Sequence, residues 1–222
     1  MLVIRTSRTG NDLGIASLAP RLKALAAAPA VTLTAVRHGQ STLNAAGLIT
    51  GQLDPPLTAL GRDQAAALRA SLAGNTWDVR LHSGSRRTRE TFELVAAGTP
   101  LPTVRTDARF QERAYGALEG LPAAAWEQPD DIDVAPPGGE SYRQLGMRVF
   151  EALTDVVGCA ADQRRPLNVL LIAHSGVLRI LSCIEAGSTD MSLLLGAGPS
   201  PGQSIELRYV ALTIPSLFDS PS

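Results

Sequence analysis

The chain has 222 residues, of which 45% are hydrophobic, so it is long enough to bury one sizeable core. Its 20 Lys and Arg residues nearly balance 21 Asp and Glu residues, and the net charge of −1 gives no general reason to expect nucleic acid or an anionic membrane as a partner. Two cysteines and three histidines do not provide a disulfide framework, and their spacing is not typical of a metal site.

The first 30 residues are interpreted as an N-terminal leader, in which Leu18, Leu22 and Leu25 recur at the spacing of a short helix that packs on the body of the chain. The small-residue stretch LAAAPA at 25–30 resembles a cleavage site, but the region before it is interrupted by charged residues and a proline: Asp12, Pro20, Arg21 and Lys23. A signal peptide needs an apolar region there, so none is predicted. No apolar run approaches the ~18 residues of a membrane-spanning helix. We therefore expect a cytoplasmic protein, and the low number of cysteines fits a reducing compartment.

Residues 31–216 are expected to form a single domain in which strands and helices alternate. The predicted strands are VTLTAV (31–36), DVRL (78–81), TVRT (103–106), NVLLIA (168–173) and IELRYVAL (205–212). Helices are predicted at about 58–73, 86–97, 140–157 and 175–184, mostly from apolar residues that recur every three or four positions. This alternation predicts an α/β three-layer sandwich with a mostly parallel central sheet flanked by helices.

Two further segments are predicted to contain little regular structure. Residues 113–139 are rich in Gly, Pro and acidic residues and are interpreted as a lid-like excursion from the domain. The tail beyond Ser216 is expected to be loose.

Three of the predicted strands end in residues that can bind phosphate. Arg37 and His38 follow the first strand, a turn leading to Arg87 follows the second, and His174 follows the strand 168–173. In open α/β sheets, ligands bind beyond the carboxyl ends of the strands. The sequence therefore predicts that two histidines and two arginines converge on one site, although they lie far apart along the chain.

These residue types suit the chemistry of a phosphate ester. The planar fork of an arginine donates two parallel hydrogen bonds to a phosphate and keeps its charge. A neutral His38 could attack phosphorus through one ring nitrogen while a hydrogen bond holds the other. A carboxyl group must then protonate the leaving oxygen, and Glu112 in RFQERAYGALEG is the best candidate because it follows the third strand. Glu119 and Glu140 are the alternatives.

Six segments, in order, resemble the histidine phosphatase superfamily, which includes cofactor-dependent phosphoglycerate mutases and broad-specificity phosphatases. They are LTAVRHGQSTLN, TGQLDPPLTALGRDQA, HSGSRRTRET, FQERAYGALEG, PPGGESYRQL and NVLLIAHSGVLR, and the likeness covers about residues 31–212. The resemblance implies a phosphoglycerate mutase-like fold and a phosphohistidine at His38. It also implies phosphate binding by Arg37 and Arg87, a second pocket histidine at His174, and Glu112 as the acid and base.

Further contacts with a small phosphorylated substrate are expected around this centre. The resemblance implies substrate contacts from four residues: Ser41, Asn44, Thr50 and Gly51. Backbone N–H groups after Ser41 and Ser175 are additional candidate phosphate donors. Tyr115 is left open between packing at the rim and contact with the substrate. The resemblance implies no metal and no other cofactor, and the sequence leaves a homo-oligomer open.

Two departures from the family's pattern bear on the activity. The segment before the second arginine reads Gly84-Ser85-Arg86, so Arg86 and Arg89 compete with Arg87, which is favoured by its register with Thr91. The mutases carry a lysine and an Arg-Arg pair in the segment after Tyr115, whereas residues 115–139 contain no Lys or Arg. A mutase must hold a second anionic group of its substrate, and this segment lacks the cations to do so.

The sequence therefore predicts a metal-independent phosphatase that hydrolyses a small phosphorylated metabolite through a phosphohistidine intermediate. The first alternative is a cofactor-dependent phosphoglycerate-type mutase. The second is a non-catalytic protein that binds a phosphorylated ligand on the same fold.

Overall fold

The structure is a computed structural model, and it describes residues 25–97, 104–187, 191–196 and 198–210. Several expectations concern positions outside these ranges: most of the leader (1–24), the first residue of the predicted strand at 103–106, the last two residues of the strand at 205–212, and the tail beyond Ser216. At the end of the leader, Leu25 is buried and belongs to the main hydrophobic core.

One sheet of five strands forms the centre of the molecule. The strands are β1 (Val31–Arg37), β2 (Val79–His82), β3 (Val104–Thr106), β4 (Leu167–Ala173) and β5 (Ser204–Tyr209). They lie in the order β3-β2-β4-β1-β5, and the first four are mutually parallel, whereas β5 runs antiparallel to β1 at the edge. The predicted mostly parallel sheet is confirmed. β1 and β4 lie in its centre and are covered on both faces, which explains their nearly continuous apolar sequences.

Helices cover both faces of the sheet, so the predicted three-layer sandwich is confirmed. The helices are α1 (Thr42–Ala45), α2 (Ala59–Ser71), α3 (Arg86–Val95), α4 (Tyr142–Gln163), α5 (Ser175–Ala186) and α6 (Met191–Leu195). Apolar residues of α4 and α5 pack on one face of the sheet, and those of α2 and α3 pack on the other. Within the described residues, no helix combines the length and the apolar character needed to cross a bilayer.

Three helices differ from the prediction, and one of them, α6 (Met191–Leu195), lies in a segment for which no helix was predicted. The short helix α1 was not predicted, because it has no apolar period; it begins at a capping box in which Ser41 and Asn44 bond each other's backbone N–H groups. Helix α4 also begins at a capping box, formed by Ser141 and Gln144, and it continues to Gln163 rather than ending near residue 157. It ends where Arg164 adopts the left-handed conformation, with φ of 53°.

The segment 113–139, which we call the lid, contains two short 3₁₀ helices, Gly116–Leu118 and Ala123–Ala125. Two buried cations anchor it from inside, and one of them, Arg143, is paired with Asp133 of the lid. Arg113 is only 1% exposed, and its guanidinium group donates to the backbone oxygens of Glu140 and Val134 and lies 4.1 Å from the ring centre of Tyr142. Because Arg113 is the first residue of the lid and these partners lie near or just beyond its last residue, Arg113 holds the two ends of the lid together.

Candidate active site

The pairing of β1 with β4 brings the two predicted site histidines together. Arg37 is paired with Ala173 in the parallel register, so His38 and His174, the next residues, leave the sheet side by side. The ring centroids are 5.1 Å apart, with an angle of 65° between the planes. Both side chains are almost completely buried, with exposures of 3% and 0%. Two residues that are distant in sequence thus form one imidazole pair.

Hydrogen bonds define the protonation of the His38 ring. Its Nδ1 lies 2.7 Å from the backbone oxygen of Gly39. A carbonyl oxygen only accepts hydrogen bonds, so Nδ1 must carry the proton and Nε2 must carry the lone pair. In agreement, Nε2 accepts a hydrogen bond from Nε of Arg87 at 3.2 Å. The ring is therefore neutral, and Nε2 is available as a nucleophile or a base.

Of the three neighbouring arginines on the first turn of α3, Arg87 is the one that points into the site. It is 1% exposed, whereas Arg86 and Arg89 are exposed to solvent. Its two terminal nitrogens donate to the backbone oxygens of Leu53 at 2.6 Å and Gly51 at 2.9 Å. The structure thus favours Arg87 over Arg86 and Arg89, in agreement with the choice that the sequence suggested from the register with Thr91.

Buried polar atoms without a protein partner are concentrated at this end of the sheet. Among the residues that the structure describes, they are Arg37 Nε, His174 Nδ1, Ser175 Oγ and Arg179 Nε. An unsatisfied buried donor costs about 1–3 kcal/mol, so native proteins rarely keep one without a purpose. The other nitrogens of two of these groups are engaged: Arg37 donates to the oxygen of Pro199 at 2.8 Å, and His174 Nε2 bonds Ser83 at 2.8 Å. Unused donors beside His38 are what an anion site requires.

The carboxyl group of Glu112 lies at the start of α5, the helix that directly follows His174. One of its oxygens accepts the N–H of Gly176 at 3.3 Å, and the other accepts the N–H of Arg113 at 2.9 Å. The approach is close, because a Cβ at Gly176 would lie 2.4 Å from the nearer carboxylate oxygen and would displace it. Glu140, an alternative acid, is instead paired with Arg148 at 2.7 Å. Among the carboxyls considered, Glu112 is the one in contact with the helix that follows His174.

The remaining predicted contact residues occupy two different environments. Ser41 is fully buried and its hydroxyl caps α1, so its side chain is engaged within the protein. Asn44 donates to the hydroxyl of Thr50 at 3.2 Å, directly before Gly51, whose oxygen binds Arg87. The structure therefore brings the Thr50–Gly51 turn to the arginine, while Ser41 supports the helix beside it.

Tyr115 and Ser175 complete the predicted set. The ring of Tyr115 lies 5.2 Å from the guanidinium carbon of Arg113, and burial raises the pKa of its hydroxyl. Ser175 is the first residue of α5 and follows His174 directly. Its buried hydroxyl has no partner among the residues that the structure describes, which makes it a candidate ligand donor through the side chain as well as the backbone.

Two supporting residues were not identified as functional from the sequence. Ser83 follows β2 and binds His174, and the hydroxyl of Thr91 accepts the N–H of Gly39 at 3.0 Å. From the sequence, Thr91 indicated only the register of Arg87. Ser83 had one usable signal, its position just beyond the end of a strand that leads into the site.

Burial and positive charge keep both site histidines neutral. Burial lowers the pKa of His38 well below its ordinary value, and the nearby cation of Arg87 lowers it further. The pKa of His174 is also well below the ordinary value, through burial first and then through Arg87 and His38. A neutral pair beside two arginines is suited to receive an anion.

These pKa directions predict a loss of stability in mild acid. The folded protein keeps His38 and His174 neutral, whereas the unfolded chain protonates them below a pKa of about 6.5. Stability is therefore complete above this pH and falls as the pH decreases, by roughly 1–1.5 kcal/mol per pH unit for each histidine. The pKa of His82 is lowered too, chiefly by burial, and adds to the slope.

Urea unfolding between pH 5 and 7 should measure this slope. In His38→Asn the dependence should be shallower than in the wild-type protein, because one of the linked protons has been removed. An unfolding free energy that stayed constant or rose towards pH 5 would contradict neutral buried histidines.

In the described parts of the chain, no three or more His, Cys, Asp or Glu side chains are grouped so that they could hold a metal ion. Within the described residues, Cys159 and Cys183 form no disulfide, and Cys183 is buried in α5.

Comparison with known proteins gives matches over most of the chain. A family model described as histidine phosphatase superfamily (branch 1) matches residues 33–214. A 2,3-bisphosphoglycerate-dependent phosphoglycerate mutase of Rhizobium meliloti (strain 1021) is 40% identical over 179 residues, which are 73% of this chain and 83% of the relative. A metal-independent phosphoserine phosphatase of Arabidopsis thaliana is 31% identical over 175 residues, which are 73% of this chain and 71% of the relative.

Among solved structures, a mycobacterial glucosyl-3-phosphoglycerate phosphatase superposes with a TM-score of 0.69 and 29% sequence identity. The superposition covers 81% of this chain and 90% of the other. The similarity thus extends to both phosphatases and mutases.

Proposed function

Because the chain belongs to the histidine phosphatase superfamily, we propose that it is a phosphatase that hydrolyses a small phosphomonoester through a phosphohistidine at His38. One observation carries the proposal. The Nδ1–H of His38 is held by the oxygen of Gly39, so the lone pair of Nε2 lies beside Arg87 and opposite His174. A histidine fixed in this tautomer is prepared for attack on phosphorus.

In the first step, Nε2 of His38 bonds to phosphorus while the bond from phosphorus to the ester oxygen breaks. Glu112 donates its proton to that oxygen, which leaves as an alcohol. In the second step, the Glu112 carboxylate takes a proton from a water molecule whose oxygen attacks phosphorus. The phosphorus–nitrogen bond then breaks, its electron pair returns to His38, and inorganic phosphate leaves.

Positive charge for both steps comes from side chains, so the proposed reaction uses no metal or other cofactor. Arg37 and Arg87 face the charge on the transferred group, together with the single N–H that a neutral His174 can donate. A pair of unit charges at about 4 Å is worth roughly 4 kcal/mol at an effective dielectric constant near 20. Two arginines can therefore hold a phosphate dianion firmly, and their charge also stabilises the transition state.

The composition of the lid supports hydrolysis over transfer to a second position. Between residues 115 and 139 there is no Lys or Arg that could hold another anionic group of a substrate. Arg113, which lies just before this segment, is buried, and its guanidinium group already donates to the backbone oxygens of Glu140 and Val134. A phosphoryl group on His38 would therefore meet water more readily than a retained phosphoglycerate.

The products distinguish the two activities. We expect inorganic phosphate to be released from at least one member of a panel of sugar phosphates, phosphoglycerates, nucleotides, phosphoserine and phosphopeptides, equally well with and without EDTA. With 3-phosphoglycerate, phosphate release should exceed formation of 2-phosphoglycerate and should not require 2,3-bisphosphoglycerate.

A product that keeps its phosphate and depends on the bisphosphate would instead identify a mutase. Binding of phosphorylated compounds without any turnover would identify a non-catalytic binding protein.

A further inference from the structure

One carboxylate near the site takes no part in the proposed reaction, yet it joins two segments that do. Glu119 lies in the lid, and its Oε1 accepts the backbone N–H of Gln52 at 3.0 Å and that of Tyr115 at 2.9 Å. Gln52 belongs to the turn Gly51–Leu53, whereas Tyr115 lies just after Glu112 in the chain. A single oxygen atom therefore ties this turn to the segment that bears the proposed acid.

The turn Gly51–Leu53 also fixes the side chain of Arg87. The two terminal nitrogens of the guanidinium group donate to the oxygens of Leu53 and Gly51, at 2.6 and 2.9 Å. Its Nε donates to His38 at 3.2 Å. Because the guanidinium group is planar and rigid, any movement of the turn also moves the cation relative to His38.

The carboxylate of Glu119 packs directly against the backbone of Gly51. Gly51 has φ of +49°, in the left-handed region that favours glycine, and a Cβ on it would lie 2.2 Å from Glu119 Oε1. Burial lowers the pKa of Arg87, while Glu112, Asp54 and Glu119 oppose this shift. Glu119 is thus coupled to Arg87 both through the turn and through its charge.

We propose that Glu119 is a positioning residue, which holds the turn Gly51–Leu53 so that Arg87 meets the phosphoryl group at His38. The inference rests on the proposed function for the nature of the ligand and adds a residue that touches neither the phosphate nor the leaving group. Hydrogen-bond acceptance is the property that matters, because both partners of Oε1 are backbone N–H groups. A neutral amide oxygen can accept from the same two groups.

Two substitutions at this position separate acceptance from charge. Glu119→Gln keeps an oxygen acceptor, and Glu119→Ala removes it. Glu127→Ala is the matched control, because it removes one exposed carboxylate elsewhere in the lid. Orthovanadate serves as the probe of the phosphate site, since its binding needs no turnover.

We expect Glu119→Ala to bind vanadate about 10-fold more weakly. This is the effect expected if a displaced Arg87 makes one hydrogen bond fewer to the vanadate. The burst of p-nitrophenolate that accompanies phosphoenzyme formation should slow by roughly 10- to 100-fold, as for a misplaced catalytic group. Glu119→Gln and Glu127→Ala should both behave like the wild-type protein.

Thermal unfolding of each variant separates a displaced cation from a damaged fold. If Glu119→Ala does not fold, Gly51→Ala replaces it, since its added Cβ displaces the same carboxylate and should cause the same loss of vanadate affinity. Wild-type vanadate affinity and burst rate in a folded Glu119→Ala variant would overturn the proposal, as would a Glu119→Gln variant as impaired as Glu119→Ala. Vanadate binding by a wild-type protein that hydrolyses no substrate would contradict the proposed function alone.

Discussion

Replacing His38 by asparagine should abolish turnover, with kcat/KM reduced by about 10⁴-fold or more. The reason is that Nε2 of His38 carries the lone pair that receives the phosphoryl group in the proposed reaction, and asparagine has no such nitrogen. The arginines would still bind the substrate, so KM should change less than kcat. Labelled substrate and a rapid quench should show a base-stable, acid-labile phosphoprotein in the wild type and none in the variant.

The matched control is His82→Asn. His82 is also buried, at the end of β2, and its Nδ1 accepts the N–H of Gly84, a bond that the asparagine side-chain oxygen can accept as well. This variant should still form the phosphoprotein. Full activity in folded His38→Asn, or a phosphoryl label that persists in it, would rule out His38 as the nucleophile.

Glu112→Gln should produce the second large effect, and its size should depend on the leaving group. An alkoxide leaves only with a proton, so hydrolysis of alkyl phosphates should fall by about 10²- to 10⁴-fold. p-Nitrophenolate leaves as a stable anion, so the first turnover with p-nitrophenyl phosphate should be nearly unaffected. The second step still needs a base for water, and a burst followed by slow turnover is expected.

Stopped-flow measurements with both substrate types test this pattern. The control is Glu140→Gln, which changes another carboxyl of the same region, paired with Arg148. That variant should show the wild-type dependence on the leaving group, whatever its stability. An equal loss for alkyl and nitrophenyl substrates in Glu112→Gln would mean that Glu112 does not act as the proton donor.

The sheet could be predicted from the sequence because its central strands are short apolar runs bounded by polar residues. The ends of β1, β2 and β4 were therefore found to within one residue of the observed strands. Residues at those ends could be predicted to converge, because parallel strands present their carboxyl ends on one side.

Other features depend on contacts that no local pattern contains. The sequence favoured Arg87 among three arginines through its register with Thr91, but the bonds that hold its side chain, to Leu53 and Gly51, join residues distant in sequence. Helix α1 has only its capping residues as a signal, and the engagement of Ser41 in that cap could not be separated from a substrate contact. The role of Arg113 was not visible either, because its partners are backbone oxygens of the lid and of Glu140.

The distance between the two imidazoles follows from the spacing of the strands that carry them. Adjacent strands are about 4.8 Å apart, and the rings that leave β1 and β4 at paired positions are separated by 5.1 Å. The lid and the turn Gly51–Leu53 lie outside the sheet, so they do not set this spacing. Changes in those outer segments can therefore alter the surroundings of the pair, including the position of Arg87, while the two imidazoles keep the same spacing. Conversely, a shift of one residue between the two strands would turn one imidazole to the opposite face and dismantle the centre completely.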